Sequence, residues 1–168
     1  MKNSDELTAK PDKGSIYAYA DGSCFGTPGP YGIGVFLSYW RDNELWYTRH
    51  GSYLGIGTNN QAELLAVAKA LVLVRSVPDY KGKDIVLHTD SLYTIGSLTK
   101  NWDSKKNLDI IAMIKEMLEI TQVTMKHVKG HQGNFGNEIV DKVAKYATKN
   151  KITVSDVCAA KEFVYKMY

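Results

Sequence analysis

The sequence is 168 residues long, with a formal net charge of +3, 44% hydrophobic residues and 23% charged residues. This composition excludes a disordered or fibrous chain and predicts one soluble globular domain with a proper core. The small positive charge is compatible with a polyanionic partner but is too weak to indicate one.

Residues 1–13 open the sequence as a polar tail that lacks the apolar core of a signal peptide. No apolar run in the sequence approaches the roughly 20 residues that a transmembrane helix needs. Cys24 and Cys158 lie far apart and fit neither a disulfide framework nor a zinc site, which favours a reducing compartment. We therefore expect a cytoplasmic protein without a membrane partner.

The chain after this tail predicts three strands. Small and aromatic residues alternate in SIYAYAD (15–21), as in a strand covered on both faces. Two further runs of strand type, YGIGVFLSYW (31–40) and ELWYTRHGSYL (44–54), are joined by a polar turn. We expect these three strands to form an antiparallel meander.

The apolar period then changes to that of a helix, over residues 58–76, with Thr58 or Asn59 as the N-cap. The later predicted elements are a strand at 84–90, a short helix at 91–102, a helix at 107–120, a strand at 123–128 and a helix at 137–150. A meander followed by helix-linked strands predicts an α/β fold with a mixed five-stranded sheet, antiparallel meander plus parallel strands, flanked by helices. Residues 151–168 are long enough for a short helix after Ser155, but the hydrophobic pattern does not give its bounds.

Four acids stand where a predicted strand ends or a predicted helix begins: Asp21, Glu63, Asp90 and Asp141. Taken singly, each has an ordinary interpretation as a turn cap or a partner of a helix dipole. Strand ends and helix starts at the carboxyl edge of a sheet converge on one crevice, where four acids would repel one another unless cations neutralised them. Carboxylate oxygens without Cys or His partners favour Mg²⁺ or Mn²⁺, and two such ions about 4 Å apart support phosphodiester cleavage.

Four motifs occur in an order that resembles type 1 ribonuclease H, in a form that lacks the basic protrusion: YADGSCFGTPGPYGIGV, GTNNQAELLAVAKAL, LHTDSLYTI and VKGHQGNFGNEIVDKVAKYA. The resemblance covers residues 14–150 and leaves 151–168 as an extension without an assigned role. It implies a ribonuclease H-like fold and a metal-dependent endonuclease that cuts the RNA strand of RNA–DNA hybrids, leaving 5′-phosphate and 3′-hydroxyl ends. The implied cofactors are two Mg²⁺ ions, with Mn²⁺ as a substitute, and we expect a monomer.

The resemblance also implies a role for each acid. Asp21 would bridge both metal ions, Glu63 and Asp90 would hold the ion on the leaving-group side, and Asp141 would hold the ion that activates water. His131 resembles the mobile histidine of the family, which is credited with proton transfer or product release, and the glycines beside it suit a moving loop. The other three histidines lie in strand-like runs and are predicted to be packing residues: His50, His88 and His127.

Recognition of an RNA strand depends on its 2′-hydroxyls, which lie in a wide and shallow minor groove. Small residues that allow close backbone approach, and amides that both donate and accept hydrogen bonds, suit this task. Thr58 is a candidate for holding a DNA-strand phosphate at a helix start, although helix capping competes for Thr58 and Asn59. The full set of candidate substrate contacts is Gly22, Ser23, Thr58, Asn59, Asn60 and Asn137.

The sequence departs from the family pattern in three places. After Trp102 only DSKKN precedes the next helix, which leaves no room for a basic protrusion. Thr27 and Leu92 stand where the family often has asparagine and glutamine, which puts hybrid affinity rather than chemistry in question. Lysines near the shortened connection are candidates for supplying that affinity: Lys100, Lys105 and Lys106.

Two other interpretations stay open. Another metal nuclease of this fold, such as a junction resolvase or a 3′–5′ exonuclease, would also cluster acids, although such enzymes lack the D-G-S and T-N-N motifs together. A non-catalytic RNA–DNA hybrid-binding module of the same fold would be expected to have lost an acid, and none of the four is missing. A panel of nucleic-acid substrates distinguishes the first alternative from a hybrid-specific ribonuclease, and a metal titration distinguishes the second.

Overall fold

The computed structural model describes residues 8–100, 105–130 and 133–166, and their strands form one mixed sheet. The six strands are β1 (Ser15–Cys24), β2 (Gly29–Arg41), β3 (Glu44–Gly57), β4 (Asp84–Thr89), β5 (Thr124–His127) and β6 (Thr153–Ala159), in the spatial order β5-β4-β1-β2-β3-β6. Strands β1, β2 and β3 form the predicted antiparallel meander, while β4 runs parallel to β1 and β5 parallel to β4. The predicted α/β class and mixed sheet are confirmed, and the predicted number of strands is one too few.

Four helices flank the sheet: α1 (Asn59–Val74), α2 (Leu92–Thr99), α3 (Leu108–Ile120) and α4 (Phe135–Asn150). Each of α1, α2 and α4 begins at a side-chain cap, supplied by Thr58, Ser91 and Asn134. Two short 3₁₀ turns follow α1 and β6, at Tyr80–Gly82 and Ala160–Glu162. Among the described residues, none of the helices combines the length and hydrophobicity that crossing a bilayer would require.

The sixth strand corrects the expectation of a helix after Ser155. Strand β6 pairs antiparallel with β3, from Trp46↔Ala159 to Ser52↔Thr153, and only then does a 3₁₀ turn begin. Exposed and half-buried residues alternate along β6, which is the period of a strand with one face covered. An ion pair also holds β6 against β3, because Asp156 on β6 binds the buried Arg49 of β3.

The sheet separates two apolar clusters. Since successive side chains of a strand point to opposite faces, Ile16 and Ala18 of β1 pack with α1, whereas Tyr19 packs with Ile139 of α4. Ala9, in the described part of the predicted tail, is fully buried in the second cluster. Helices α2 and α3 pack beside α1.

Two paired glycines fix how close α4 lies to the sheet. Gly34 of β2 stands opposite Gly51 of β3. A Cβ atom at Gly51 would lie 2.8 Å from the carbonyl oxygen of Val143, and one at Gly34 would contact the carbonyl oxygen of Val140 more closely still. The backbone of α4 therefore rests directly on the strands, which places Asp141 on a rigid support.

Candidate active site

Three of the four predicted acids meet near the C-terminal ends of the inner strands β1 and β4. One carboxylate oxygen each from Asp21, Glu63 and Asp90 lies within 4.8 Å of the other two. The residues come from three elements, since Asp21 lies in β1, Glu63 lies in α1 and Asp90 follows β4. Within the described residues, this group does not include Asp141.

Asp21 lies inside β1, which ends at Cys24 and not at Asp21 as predicted. Its backbone stands opposite Gly34 of β2, whereas the last pairing of β1 with β4 joins Tyr19 to His88. Asp21 is therefore held in register by one neighbouring strand while its other side lies beyond the end of β4. Only 4% of the residue is exposed.

Gly22 brings Glu63 next to Asp21. The backbone N–H of Gly22 donates a hydrogen bond to Oε2 of Glu63 over 3.2 Å. A Cβ atom at Gly22 would lie 2.6 Å from backbone atoms of Ala62 and Glu63, so any larger residue would push α1 away from β1. The structure thus gives Gly22 a role in seating α1, beside its predicted role in substrate contact.

The three clustered carboxyl groups cannot all ionise cheaply. Burial, followed by the charges of Glu63, Asp90 and Asp141, raises the pKa of Asp21 well above its usual range. Burial and then the charge of Asp90 raise the pKa of Glu63 to about 8, although hydrogen bonds from Asp21 and Gly22 oppose this shift. A proton thus stays in the cluster near neutral pH unless a cation takes its place.

The donor set fits a hard divalent cation. Three carboxylates within a few ångströms, with no thiolate or imidazole in the group, match the oxygen ligands that Mg²⁺ and Mn²⁺ prefer. A cation there would also relieve the repulsion that, after burial, raises the pKa values of Asp21 and Glu63.

Asp141 and one member of this group, Asp90, both line a cavity of about 290 Å³. The cavity is lined by Asp90, Gly130, Asn137, Glu138, Asp141 and Lys142. Oδ2 of Asp141 accepts a hydrogen bond from Nζ of Lys145 over 3.0 Å, one turn further along α4, in an ion pair that is partly open to solvent. Such pairs contribute at most about 1 kcal/mol, so Lys145 can give way to a cation.

The start of α4 and the loop before it contain two further predicted site residues, Asn137 and His131. Asn137 is 5% exposed and its backbone N–H donates to Oδ1 of Asn134 over 3.0 Å. Sequence reasoning missed Asn134, although an asparagine directly before an amphipathic helix is a signal for an N-cap. His131 lies outside the described residues, so its role stays a prediction.

The start of α1 borders a second cavity, of about 700 Å³. The hydroxyl of Thr58 accepts from the N–H of Gln61 over 3.2 Å, and Oε1 of Gln61 accepts from the N–H of Thr58 over 2.9 Å. Thr58 is therefore the N-cap that the sequence left open between Thr58 and Asn59. The cavity is lined by Thr58, Asn60, Gln61, Tyr93, Lys105, Lys106 and Asn107.

The remaining predicted substrate contacts differ in exposure, and one further residue lines the second cavity. Asn59 and Asn60 are exposed at the start of α1, whereas Ser23 is 6% exposed within β1. Tyr93, which sequence reasoning missed, accepts a hydrogen bond on its hydroxyl from Nδ2 of Asn107 over 3.1 Å. The sequence did not signal that Tyr93 lines this cavity, because the residue is half-buried and also packs against the first apolar cluster.

Comparison with known proteins places this geometry in context. The RNase H family model matches residues 13–149. The chain is 34% identical to ribonuclease HI of Haemophilus ducreyi over 160 residues, covering 85% of this chain and 95% of the relative. It is 36% identical to ribonuclease H of Orientia tsutsugamushi over 160 residues, covering 88% of each.

Solved structures show the same architecture. RNase H1 from Halobacterium salinarum NRC-1 superimposes with a TM-score of 0.68 at 30% identity, covering 82% of this chain and 99% of that one. LC11-RNase H1, solved in complex with an RNA/DNA hybrid, gives a TM-score of 0.64 at 24% identity, covering 79% and 98%. The second likeness shows the fold alone.

Proposed function

Since this chain belongs to the RNase H family and is a ribonuclease H, we propose that it cuts the RNA strand of RNA–DNA hybrids internally by a two-metal-ion mechanism, leaving 5′-phosphate and 3′-hydroxyl ends. The observation that carries this proposal is the group of carboxylates from Asp21, Glu63 and Asp90, with oxygens within 4.8 Å of one another. A non-catalytic hybrid-binding module would have no need for two buried acids, Asp21 and Glu63, beside the half-buried Asp90 at such an electrostatic cost.

Asp21, Glu63 and Asp90 would hold divalent cations together with Asp141, which lines the smaller cavity with Asp90. When bound, Mg²⁺ ions, or Mn²⁺ in their place, lower the pKa of water and stabilise charge on the leaving oxygen. We assign the bridging role to Asp21, because it shares a hydrogen bond with Glu63 and, after burial, the charges of all three other acids raise its pKa. Lys145 would leave Asp141 as the site fills, and His131 would move protons or assist product release.

The proposed hybrid interface runs from the acids to the start of α1. The larger cavity joins Thr58 to Lys105, Lys106 and Tyr93, and lysines beside a helix start suit a phosphate of the DNA strand. LC11-RNase H1, which has this fold, was solved with an RNA/DNA hybrid. Minor-groove contacts to the RNA strand are proposed for Gly22, Ser23, Asn59, Asn60 and Asn137, with the buried Ser23 contributing through its backbone.

The absence of a basic protrusion agrees with this interface. Helix α2 ends at Thr99 and α3 begins at Leu108, so the connection is too short for an additional helix. Lys105 and Lys106 lie in that connection and line the cavity. We propose that they supply part of the affinity that the protrusion provides in other members.

The decisive experiment is digestion of an end-labelled RNA–DNA hybrid with Mg²⁺, beside an all-DNA duplex, single-stranded RNA and a four-way DNA junction. We expect internal cuts in the RNA of the hybrid only, and loss of cutting in Asp21→Asn. The matched control is Asp84→Asn, an exposed acid at the opposite end of β4. Cutting of the junction would favour a resolvase, and hybrid binding without metal uptake or cutting would favour the binding module. The cytoplasmic location and the monomeric state stay predictions.

A further inference from the structure

Residues 160–166, here called the C-terminal strap, cover a part of the sheet that α4 leaves open. They lie beyond the residues that match the RNase H family model, which end at 149. The ring of Phe163 packs among three aromatic rings, with centroid distances of 5.3 Å to Tyr47, 6.1 Å to Phe36 and 6.1 Å to Phe135. The strap is thus part of the second apolar cluster and not a loose end.

Arg49 of β3 anchors the strap to the sheet. Its guanidinium donates to both carboxylate oxygens of Asp156, over 3.1 and 2.8 Å, and to the carbonyl oxygen of Val164 over 3.2 Å. It also lies over the ring of Phe163, 4.9 Å from the centroid. Because only 4% of Arg49 is exposed, these contacts hold both β6 and the strap in one geometry.

Tyr165 connects the anchored strap to α4. Its hydroxyl donates to Oε2 of Glu138 over 3.2 Å, and Nζ of Lys142 lies 4.4 Å from its ring centroid. Its ring is also 5.8 Å from that of Phe135, the first residue of α4. One side chain therefore contacts three residues in the first turns of this helix.

These contacts lie against the smaller active-site cavity. Glu138 and Lys142 line it together with Asp90 and Asp141. Lys142 directly follows Asp141, and its ammonium group lies over the ring of Tyr165 at the border of this cavity. A cation–π contact is strong enough to favour this position.

We propose that Tyr165 is a positioning residue for hybrid cleavage: through Glu138 and Lys142 it fixes the first turns of α4, and with them Asn137 and Asp141, relative to Asp90. Tyr165 contacts none of the four acids and acts through its neighbours. The kinetic part of the test rests on the proposed function, whereas the structural part does not.

The structural test is hydrogen exchange of the full-length, metal-free protein in Tyr165→Ala, Tyr165→Phe and Val164→Ala. We expect backbone amides in the first two turns of α4 to exchange about ten-fold faster in Tyr165→Ala and about three-fold faster in Tyr165→Phe, which loses the bond to Glu138 but keeps the ring. Amides of β1 and β4 should keep their wild-type rates. Val164→Ala is the control, because that side chain is 65% exposed and only its backbone binds Arg49.

The kinetic test uses the same variants on a labelled hybrid. We expect kcat to fall about ten-fold in Tyr165→Ala with a smaller change in KM, partial recovery in Tyr165→Phe and wild-type values in Val164→Ala, since small misplacements of a catalytic group slow the chemical step. Wild-type α4 exchange and kcat in Tyr165→Ala would overturn the proposal. If Tyr165→Ala unfolds as a whole, Tyr165→Phe decides by the same two readouts. A wild-type protein that fails to cut hybrids refutes the proposed function. The exchange experiment still tests whether Tyr165 fixes the first turns of α4.

Discussion

The backbone N–H of Gly22 donates a hydrogen bond to Oε2 of Glu63 over 3.2 Å, which joins the strand that carries Asp21 to helix α1. The missing side chain of Gly22 makes this contact possible, because a Cβ atom there would lie 2.6 Å from the backbone of α1. The active-site geometry therefore depends on a residue that takes part in packing as much as in chemistry.

Gly22→Ala should displace α1 and separate Glu63 from Asp21. We expect the free energy of unfolding, measured in urea, to fall by about 1–3 kcal/mol through overpacking. Cutting of the hybrid should fall more than about ten-fold, since a displaced catalytic group slows the reaction. Gly82→Ala is the matched control, because a Cβ atom at Gly82 meets nothing within 4 Å. Equal stability of the two variants would contradict the close packing of α1 on Gly22.

Asp21→Asn should abolish cutting and yet stabilise the metal-free protein. The substitution removes one of three clustered carboxylates that repel one another, of which Asp21 and Glu63 are buried. We expect the free energy of unfolding in EDTA at about pH 8 to rise by roughly 1 kcal/mol, as at other sites where function is built on strain. Addition of Mg²⁺ should stabilise the wild type and leave the variant almost unchanged. A less stable variant in EDTA would show that the acids do not repel one another.

The stability of the metal-free protein should fall as the pH rises. The pKa of Glu63 is raised to about 8 from 4.5, so the folded protein binds more protons than the unfolded chain between these values. The stabilising contribution is thus complete below about pH 4.5 and is lost as the pH rises through about 8. Urea unfolding in EDTA from about pH 5.5 to about pH 8.5 measures this loss.

Two controls make the pH experiment specific. Glu63→Gln should flatten the pH dependence, because the amide does not titrate. Saturating Mg²⁺ should stabilise the wild type more at the higher pH, where protons no longer compete with the cation. A pH profile that is the same in wild type and Glu63→Gln would rule out Glu63 as its source.

Two ion pairs to the C-terminal segment should differ in their effect on stability. Arg49 is buried and binds Asp156 with two hydrogen bonds, whereas Lys161 and Glu44 pair at the surface over 2.9 Å. We expect Arg49→Leu to lower the free energy of unfolding by roughly 2–3 kcal/mol, below the full cost of breaking a buried pair because Asp156 is partly exposed. Lys161→Ala should leave the urea midpoint unchanged. Comparable losses in both variants would mean that burial does not distinguish the pairs.

Lysines 105 and 106 should contribute to affinity for the hybrid and not to chemistry. The double variant Lys105→Ala/Lys106→Ala should raise KM about three- to ten-fold, leave kcat within about two-fold and reduce the dependence of binding on salt. The control is Lys81→Ala/Lys149→Ala, since neither residue lines the cavity at the start of α1. An equal rise in KM for both double variants would indicate a general charge effect.

Local patterns accounted for most of the fold. The alternation in β1, the helical period of α1 and the cap at Thr58 are properties of neighbouring residues, and they appear in the structure close to where they were predicted. Strand β6 was missed because its ion pair joins Arg49 to Asp156, residues that lie 107 positions apart. A short stretch of sequence cannot contain both partners, and the alternation of residues along β6 is too short to predict a strand without that contact.

The amino-acid sequence alone determined the fold class and the ribonuclease H motifs and named the four candidate acids, because periodicity and motif spacing are local properties. Only the tertiary structure decided that Asp21, Glu63 and Asp90 form one tight group, while Asp141 lines a cavity with Asp90 and forms an ion pair with Lys145. The physical reason is that these distances depend on helix–sheet contacts at Gly22, Gly34 and Gly51, where the absence of a side chain matters only once another element lies against it.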